Sequence, residues 1–409
     1  ARAWSAPARL ESNDVGDANR AQVALNASGS GMAVWQHAHD DIQPSIWASR
    51  YTAGSGWDAP VLIETDDTAQ AVAPQVAIDG DGNALAVWES GSGIVWSNRY
   101  DAATASWGAA VALGDGTGPK VAFDPLGNAM AVWNRYASGT VNVWAARYVA
   151  GTGWAGAAAI FDVGNSGGSP DLAFDANGNA WLVALHWNGV RTNVHAKRYR
   201  AATDTWDAPV LIESDDRGIT QAPQVAIDPS GNAVAVWLQF DGARYDVRAS
   251  HYAPGTDTWS TGLLSLTAAA GSGDAPQISV DAGGDAIAVW AQADGPLYNI
   301  WSNRYTAGVG WGTAEPIETG DAGDAALPQI ATDAAGDAFA VWYQSNGTFN
   351  DIWVNRYTAG TGWSTPALLE TMVGQALRPQ IAVDGNGDAI AIWDQFDGSR
   401  ISIWASPYR

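Results

Sequence analysis

The chain has 409 residues, of which 43 are acidic and 20 basic, so its formal net charge is -23. This charge argues against nucleic acid and anionic lipid as main partners, because both would repel the chain. Cysteine is absent, which excludes disulfides and thiolate metal sites, and no apolar run reaches the length of a membrane span.

An internal repeat organises the sequence from end to end. Each copy reads Pro-Gln-(Val/Ile)-Ala-x-Asp, a turn with Gly, Ala-x-Ala-Val-Trp, a variable stretch, Ile-Trp-x-x-Arg-Tyr, a second turn, and Trp-x-x-Pro-x-x-(Leu/Ile)-Glu. Its copies begin at Ala21, Pro74, Pro119, Pro170, Pro223, Pro276, Pro328 and Pro379. Each contains four short alternating runs and no helical pattern. The repeat therefore predicts an all-β fold, an eight-bladed β-propeller with four antiparallel strands per blade.

The two ends of the chain complement each other. A lone fourth-strand segment, residues 4–11, precedes the first copy, and the last copy stops after its third strand at Tyr408. We expect the N-terminal strand to complete the last blade and close the ring, which removes an open sheet edge. We therefore predict one domain over residues 1–409, with residues 1–20 completing the last blade.

Three tryptophan positions per copy, in the second, third and fourth strands, hold 21 of the 23 tryptophans. Together with the Asp-x-x-Gly turn between the first and second strands, they make the chain resemble a bacterial eight-bladed β-propeller over essentially its whole length. The turn is similar to the Asp-box of sialidase-like propellers, and the tryptophans to the docked blades of quinoprotein-like propellers. The Asp-box, however, joins the third and fourth strands in its family, so the resemblance transfers no active-site residue to this chain.

Two repeated features have structural explanations. The turn aspartates, such as Asp79 and Asp384, accept hydrogen bonds from their own turn, and Gly takes the positive φ. The alternative interpretation is that these turns bind calcium. The repeated Arg-Tyr pair, as at Arg50-Tyr51, predicts an ion pair or an arginine stacked on tryptophan.

The candidate ligand site lies where the repeat varies. Loop lengths are constant on one face of the ring and vary on the other, so we place function on the variable face and the mouth of the central channel. Copies four and five lose consensus tryptophans and collect basic residues and histidines, some of them on the variable face. The candidates are His186, Trp187, Asn188, Arg191, Asp215, Asp216, Arg217, Phe240, Asp241, Arg244 and Tyr245. Aromatic faces beside polar groups suit a sugar ligand.

A separate motif suggests a divalent metal. His37 and His39 share one face of an extended segment, and Asp41 follows them. Imidazole and carboxylate are zinc ligands, so these three residues are candidate metal ligands. A solvated loop is the alternative explanation.

The sequence favours a secreted, non-enzymatic propeller that recognises a glycan or an extracellular protein, because it contains no nucleophile or phosphate-binding motif. One alternative is a polysaccharide lyase or glycoside hydrolase, with His186 or Tyr245 as base and Arg191 or Arg244 neutralising a uronate. Another is a docking subunit of a larger assembly. We expect a monomer outside such an assembly, an extracellular or periplasmic location, and no cofactor apart from the calcium or other divalent metal considered above.

Overall fold

The computed structural model describes residues 2–12, 15–38, 43–64, 69–137, 139–161, 167–213, 218–260, 264–267, 271–320 and 322–409. These residues form 39 strands and no helix. It follows that no helix in the described ranges could cross a membrane. The strands build eight antiparallel sheets arranged as the blades of a propeller, which confirms the predicted fold.

Each blade runs outward from an inner strand to a second, a third and a fourth strand. The inner strands are β2 (Ala18–Leu25), β7 (Ala71–Ile78), β12 (Thr117–Phe123), β17 (Gly167–Phe174), β22 (Thr220–Ile227), β27 (Gly273–Val280), β32 (Ala325–Thr332) and β37 (Ala376–Val383). The second strands are β3 (Gly31–His37), β8 (Ala84–Ser90), β13 (Ala129–Ala137), β18 (Ala180–Trp187), β23 (Ala233–Phe240), β28 (Ala286–Asp294), β33 (Ala338–Ser345) and β38 (Ala389–Phe396). We number the blades 1 to 8 in this order.

The outer half of each blade is less regular. The third strands are β4 (Ser45–Thr52), β9 (Ile94–Asp101), β14 (Thr140–Val149), β19 (Thr192–Arg200), β24 (Tyr245–Ala253), β29 (Leu297–Thr306), β34 (Asn350–Thr358) and β39 (Ile401–Tyr408). In blades 1 to 7 the fourth strand is broken into two short pieces. They are β5 (Gly56–Trp57) and β6 (Val61–Leu62), β10 (Ser106–Trp107) and β11 (Val111–Asp115), β15 (Gly153–Trp154) and β16 (Ala158–Phe161), β20 (Thr205–Trp206) and β21 (Val210–Leu211), β25 (Thr258–Trp259) and β26 (Leu264–Ser265), β30 (Gly310–Trp311) and β31 (Glu315–Pro316), and β35 (Gly362–Trp363) and β36 (Ala367–Leu368).

The N-terminal strand closes the ring as predicted. Strand β1 (Ala8–Arg9) pairs antiparallel with β39, placing Ala8 opposite Ala405, and Trp4 forms a further bridge with Tyr408. Each inner strand contacts the next around the ring, including β37 with β2. The last blade therefore has its fourth strand supplied from the other end of the chain.

The core lies between neighbouring blades rather than within one. Side chains alternate across each strand, so each blade presents one face to the preceding blade and one to the following blade. In blade 4, Leu182 and Ala184 pack with Val143 of blade 3, whereas Trp181 and Val183 pack with Trp237 of blade 5. This alternation decides which functional side chains can meet.

The turns between the inner and second strands are built as predicted. Asp79 Oδ1 accepts hydrogen bonds from the backbone N–H groups of Asp81 (3.0 Å) and Asn83 (2.8 Å), and its Oδ2 accepts one from Asn83 Nδ2 (2.8 Å). Gly82 adopts a φ of 86°, in the left-handed region that glycine occupies without strain. The aspartate is thus engaged by its own turn.

The repeated arginines differ from expectation in their aromatic partner. The arginine stacks mainly on the tyrosine of the following blade: the Arg147 guanidinium lies 5.0 Å from the Tyr199 ring centre, and that of Arg50 5.7 Å from the Tyr100 ring centre. Arg198 also lies near a tryptophan, 6.0 Å from the ring centre of Trp181. Arg409 closes the series, 4.9 Å from the ring centre of Tyr51. These contacts link successive blades, which a pattern read within one copy could not reveal.

Candidate functional site

The predicted ligand-binding residues lie at the tips of two hairpins, in blades 4 and 5, but they face three different junctions between blades. His186 and Arg191 lie on the face of blade 4 that packs on blade 3, while Trp187 lies on the opposite face, toward blade 5. Arg244 faces back toward blade 4. The structure therefore does not bring all the candidates into one cluster.

At the junction of blades 3 and 4, most of the ionisable and polar candidate side chains lie in one row. Residues two apart on an extended strand share a face, so Asn193, His195 and Lys197 follow one another along β19. Arg191, in the hairpin turn just before β19, is joined to them by its hydrogen bond to Asn193. His186 joins them from β18, where it is paired with Asn193. We call these five residues the junction row.

The contacts within the junction row hold its cationic ends in place. Arg191 Nε donates to Asn193 Oδ1 at 3.0 Å. Lys197 Nζ donates to the backbone carbonyl of Ile160 in blade 3 and lies 5.7 Å from the Phe161 ring centre. Two cationic groups thus flank the histidines in a chain that is otherwise strongly acidic.

His186 and His195 occupy the room left by two missing tryptophans. In the other blades that keep both, the second-strand and third-strand tryptophans stand opposite each other, as Trp342 and Trp353 do. Blade 4 has Ala184 and His195 at these places, and the His195 ring packs edge-on against His186 with centres 4.9 Å apart. Neither ring nitrogen of His186 hydrogen-bonds to a described residue, and Nδ1 of His195 is equally unpartnered.

Burial keeps both imidazoles neutral. It lowers the pKa of His186, and burial together with the neighbouring His186 lowers the pKa of His195 to about 4. Burial also lowers the pKa of Lys197. At neutral pH the histidines therefore carry a free lone pair, as a general base requires.

At the next junction, between blades 4 and 5, the equivalent row is neutralised by its own carboxylate. Asp246 stands where blade 4 has Asn193, and it accepts hydrogen bonds from Arg244 Nε (3.0 Å) and from an Nη of Arg248 (2.9 Å). The Arg248 and Asp246 side chains are only 9% and 6% exposed. The charges of this row are thus paired within it.

Two of the predicted polar residues shape the hairpin tips. Asn188 Oδ1 accepts hydrogen bonds from the backbone N–H groups of Val190 and Arg191, both at 3.0 Å. Asp241 Oδ1 does the same for Ala243 and Arg244, at 2.8 and 2.9 Å. These oxygens form Asx-type turns that hold the hairpins.

The remaining candidates lie elsewhere. Phe240 and Tyr245 pair across the blade 5 hairpin with ring centres 5.3 Å apart, and Tyr245 faces blade 6. The Tyr245 hydroxyl accepts a hydrogen bond from Gln221 at 3.2 Å. Asp215, Asp216 and Arg217 lie outside the described residues.

Of the three predicted metal ligands, His37 lies within the described residues. His37 is 1% exposed, and its Nε2 lies 2.9 Å from the backbone carbonyl oxygen of Val15. His39 and Asp41 lie outside the described residues, and within the described ranges no group of three or more suitable side chains could hold a metal ion. The metal site stays a prediction.

Sequence reasoning missed Asn193, His195 and Lys197 as parts of the site. His195 was visible as a lost tryptophan, and the spacing of two from Arg191 to Lys197 was also visible. The sequence did not show which face of the blade carries the His186 side chain. Only when His186 is placed on the face toward blade 3 does it join Asn193, His195 and Lys197.

No family model matches this chain, and no curated protein matches it. Several solved structures are similar to it. A protein of unknown function from Dyadobacter fermentans has a TM-score of 0.52 at 13% identity, covering 100% of this chain and 99% of its own. An ulvan lyase from a new family of polysaccharide lyases, bound to -[GlcA(1-4)Rha3S]-, has a TM-score of 0.56 at 12% identity, covering 80% of this chain and 90% of its own.

The polysaccharide lyase Uly1 has a TM-score of 0.50 at 10% identity, covering 80% of this chain and 87% of its own. At these identities the likeness shows the propeller fold. The main expectation from the sequence, a non-enzymatic binding propeller, is nevertheless contradicted, because the comparable propellers of stated function cleave polysaccharides. The comparisons favour the alternative expectation of a carbohydrate-processing enzyme.

Proposed function

We propose that the protein is a polysaccharide lyase that cleaves uronate-containing chains at the junction of blades 3 and 4. The observation that carries the proposal is the pair of neutral, partly buried histidines, His186 and His195, which share a blade face with Asn193, the residue that holds Arg191. Support also comes from the fold shared with two polysaccharide lyases, one of them bound to a glucuronate-containing saccharide.

The chemistry assigned to the junction row is β-elimination. The Arg191 guanidinium binds the uronate carboxylate, which makes the hydrogen on the adjacent ring carbon more acidic. His186 removes that proton, the electrons form a double bond in the ring, and the bond to the leaving oxygen breaks. The leaving oxygen takes a proton from water, and the hydroxide left behind takes the proton from the His186 imidazolium. The base is thereby restored, and one chain becomes two with no net gain of water.

Asn193 and Lys197 act as positioning residues in this proposal. Asn193 holds Arg191 through the 3.0 Å hydrogen bond to its Nε. Lys197 stays tethered to the carbonyl of Ile160 and adds positive charge at the inner end of the row. Because polymeric substrates of this kind lie outside cells, an extracellular or periplasmic location is part of the proposal.

The test is a panel of uronate-containing polysaccharides incubated with the purified chain. We expect a product that absorbs in the ultraviolet through its new double bond, together with new reducing ends. New reducing ends without that absorbance would mean hydrolysis and would refute the lyase. If no member of the panel is cleaved, both the lyase and the hydrolase interpretations are refuted.

Variants test the assignment of the base. Blades 5 to 8 carry glutamine at the place of His186, as Gln344 shows, so H186Q should fold while losing at least a hundredfold in kcat. H251Q is the matched control, because His251 is also partly buried with a lowered pKa but packs on Tyr305 instead. Full activity in H186Q would exclude His186 as the base.

A further inference from the structure

The central channel contains a cavity of about 280 Å³ that is separate from the junction row. Its walls come from the inner strands of blades 7, 8, 1 and 2. The polar lining residues are Arg20, Gln22, Gln75, Gln329, Arg378 and Gln380. Arg20 and Arg378 are the third residues of their inner strands, counted from the variable-face end, and the glutamines are the fifth.

A backbone irregularity recurs in the inner strands around the channel. Every inner strand has a register shift against its second strand, and the residue inside it adopts a left-handed conformation, with φ of 57° at Arg20, 49° at Leu327 and 51° at Arg378. Such a bulge re-aims a side chain at the edge of a sheet. In these blades it places two arginines and one leucine on the cavity wall.

A buried carboxylate fixes the two arginines relative to each other. Asp394 Oδ2 accepts hydrogen bonds from Arg378 Nε at 2.5 Å and from the backbone N–H of Arg20 at 3.1 Å. The Asp394 side chain is 2% exposed, whereas that of Arg378 is 37% exposed. Asp394 thus holds the guanidinium of Arg378 and the backbone of Arg20, and both arginines line the cavity.

Several donors in the cavity have no partner within the described part of the chain. The Arg20 guanidinium is exposed and makes no side-chain hydrogen bond there, and the amides of Gln22, Gln329 and Gln380 make none. Amides can donate to and accept from sugar hydroxyls, and guanidinium groups bind carboxylate or sulfate. Leu327, 40% exposed, offers an apolar contact for a sugar ring.

We propose that this cavity binds an anionic sugar residue, with Arg20 and Arg378 holding its carboxylate or sulfate and the glutamines holding its hydroxyls. The site is distinct from the junction row, since it is built by blades 7, 8, 1 and 2. It does not depend on the lyase activity proposed above.

The experiment is calorimetric titration of the purified chain with four probes: glucuronate, a sulfated monosaccharide, glucose and inorganic sulfate. We expect one of the two anionic sugars to bind, with glucose and inorganic sulfate at least tenfold weaker. The comparison of the first two probes distinguishes carboxylate from sulfate as the anionic group. Equal binding of inorganic sulfate and the sugars would overturn the proposal, since it would mean a plain anion site, and so would binding of neither sugar.

Variants locate the binding. R20Q and R378Q should each weaken it at least tenfold, and R9Q, on the outer strand of blade 8, should leave it unchanged. R378Q removes the partner of buried Asp394 and can affect folding, so R20Q, which removes no side-chain contact described above, carries the test. Wild-type affinity in R20Q would overturn the site. Loss of binding in H186Q, with R20Q unaffected, would assign the sugar to the junction row instead.

Discussion

The depressed pKa of His195 predicts a measurable dependence of folding stability on pH. In the unfolded chain the imidazole titrates near pH 6.5, whereas in the folded chain its pKa is about 4 because of burial and the neighbouring His186. Between these values the unfolded chain binds a proton that the folded chain does not. Folding stability from this group is therefore present above pH 6.5 and is lost as the pH falls toward 4.

The size of the effect follows from the two pKa values. At pH 5.0 linkage gives about 2 kcal/mol, and partial exposure of the ring reduces this to about 1–2 kcal/mol. For a chain of this length the unfolding entropy is about 0.9 kcal/mol per degree, so the loss is about 1–2 °C in melting temperature. The variant H195F has no titratable group at this position and should not show this loss in melting temperature.

The assay is differential scanning calorimetry of the wild type and H195F at pH 7.5 and pH 5.0. We expect the wild-type melting temperature to fall by about 1–2 °C more than that of H195F over this interval. H186Q should show an intermediate fall, because His186 contributes to the lowered pKa of His195. Equal shifts in the wild type and H195F would refute the reasoning.

Two further predictions concern the fold itself. L10A should destabilise the closing strand by about 2–5 kcal/mol, or about 2–6 °C in melting temperature, because Leu10 is 6% exposed and packs with Ile392 and Ile403; an unchanged melting temperature would mean that β1 does not close the ring. E370Q should raise the melting temperature at pH 7.5 and lose this advantage by pH 4, because burial raises the pKa of Glu370 and the charged form is therefore disfavoured in the folded chain; a melting temperature lowered at both pH values would contradict it.

The period of the sequence was sufficient to predict the blades, because four strands and their turns recur with the same residues in every copy. It also predicted the closure at β1, since a strand missing from one end was present at the other. These features depend on contacts within one repeat or on the number of strands in the chain.

Contacts between blades were harder to predict. The glutamate that ends several fourth strands is buried: Glu318 is 7% exposed, and its Oε2 accepts a hydrogen bond from Gln344 Nε2 of the next blade at 2.9 Å. Gln344 in turn accepts one from the Trp342 indole at 3.3 Å. The sequence contains both residues. Their hydrogen bond cannot be predicted from one copy of the repeat, because the two partners come from different copies.

The candidate site illustrates the same limit. The loss of tryptophan in copies four and five directed attention to blade 4, where His195 and Ala184 replace the usual pair. Grouping residues by loop, however, placed Tyr245 with His186, although the two face different neighbours. The period of two along each strand decides these faces, and it can be applied from sequence once the direction of one side chain is known.

The left-handed residue of each inner strand has a consequence for how such a ring can change its chemistry. Arginine, alanine, glycine, serine and leucine all occupy this place, at Arg20, Ala73, Gly118, Ser169 and Leu327, with nearly the same φ. The backbone cost is thus incurred by seven of the eight blades, whatever the side chain, and Gly118 of blade 3 avoids it. Eight equivalent positions around one pore can then be rewritten singly, so a scaffold with near-rotational symmetry can acquire an asymmetric lining by point substitution, and protein engineers could do the same.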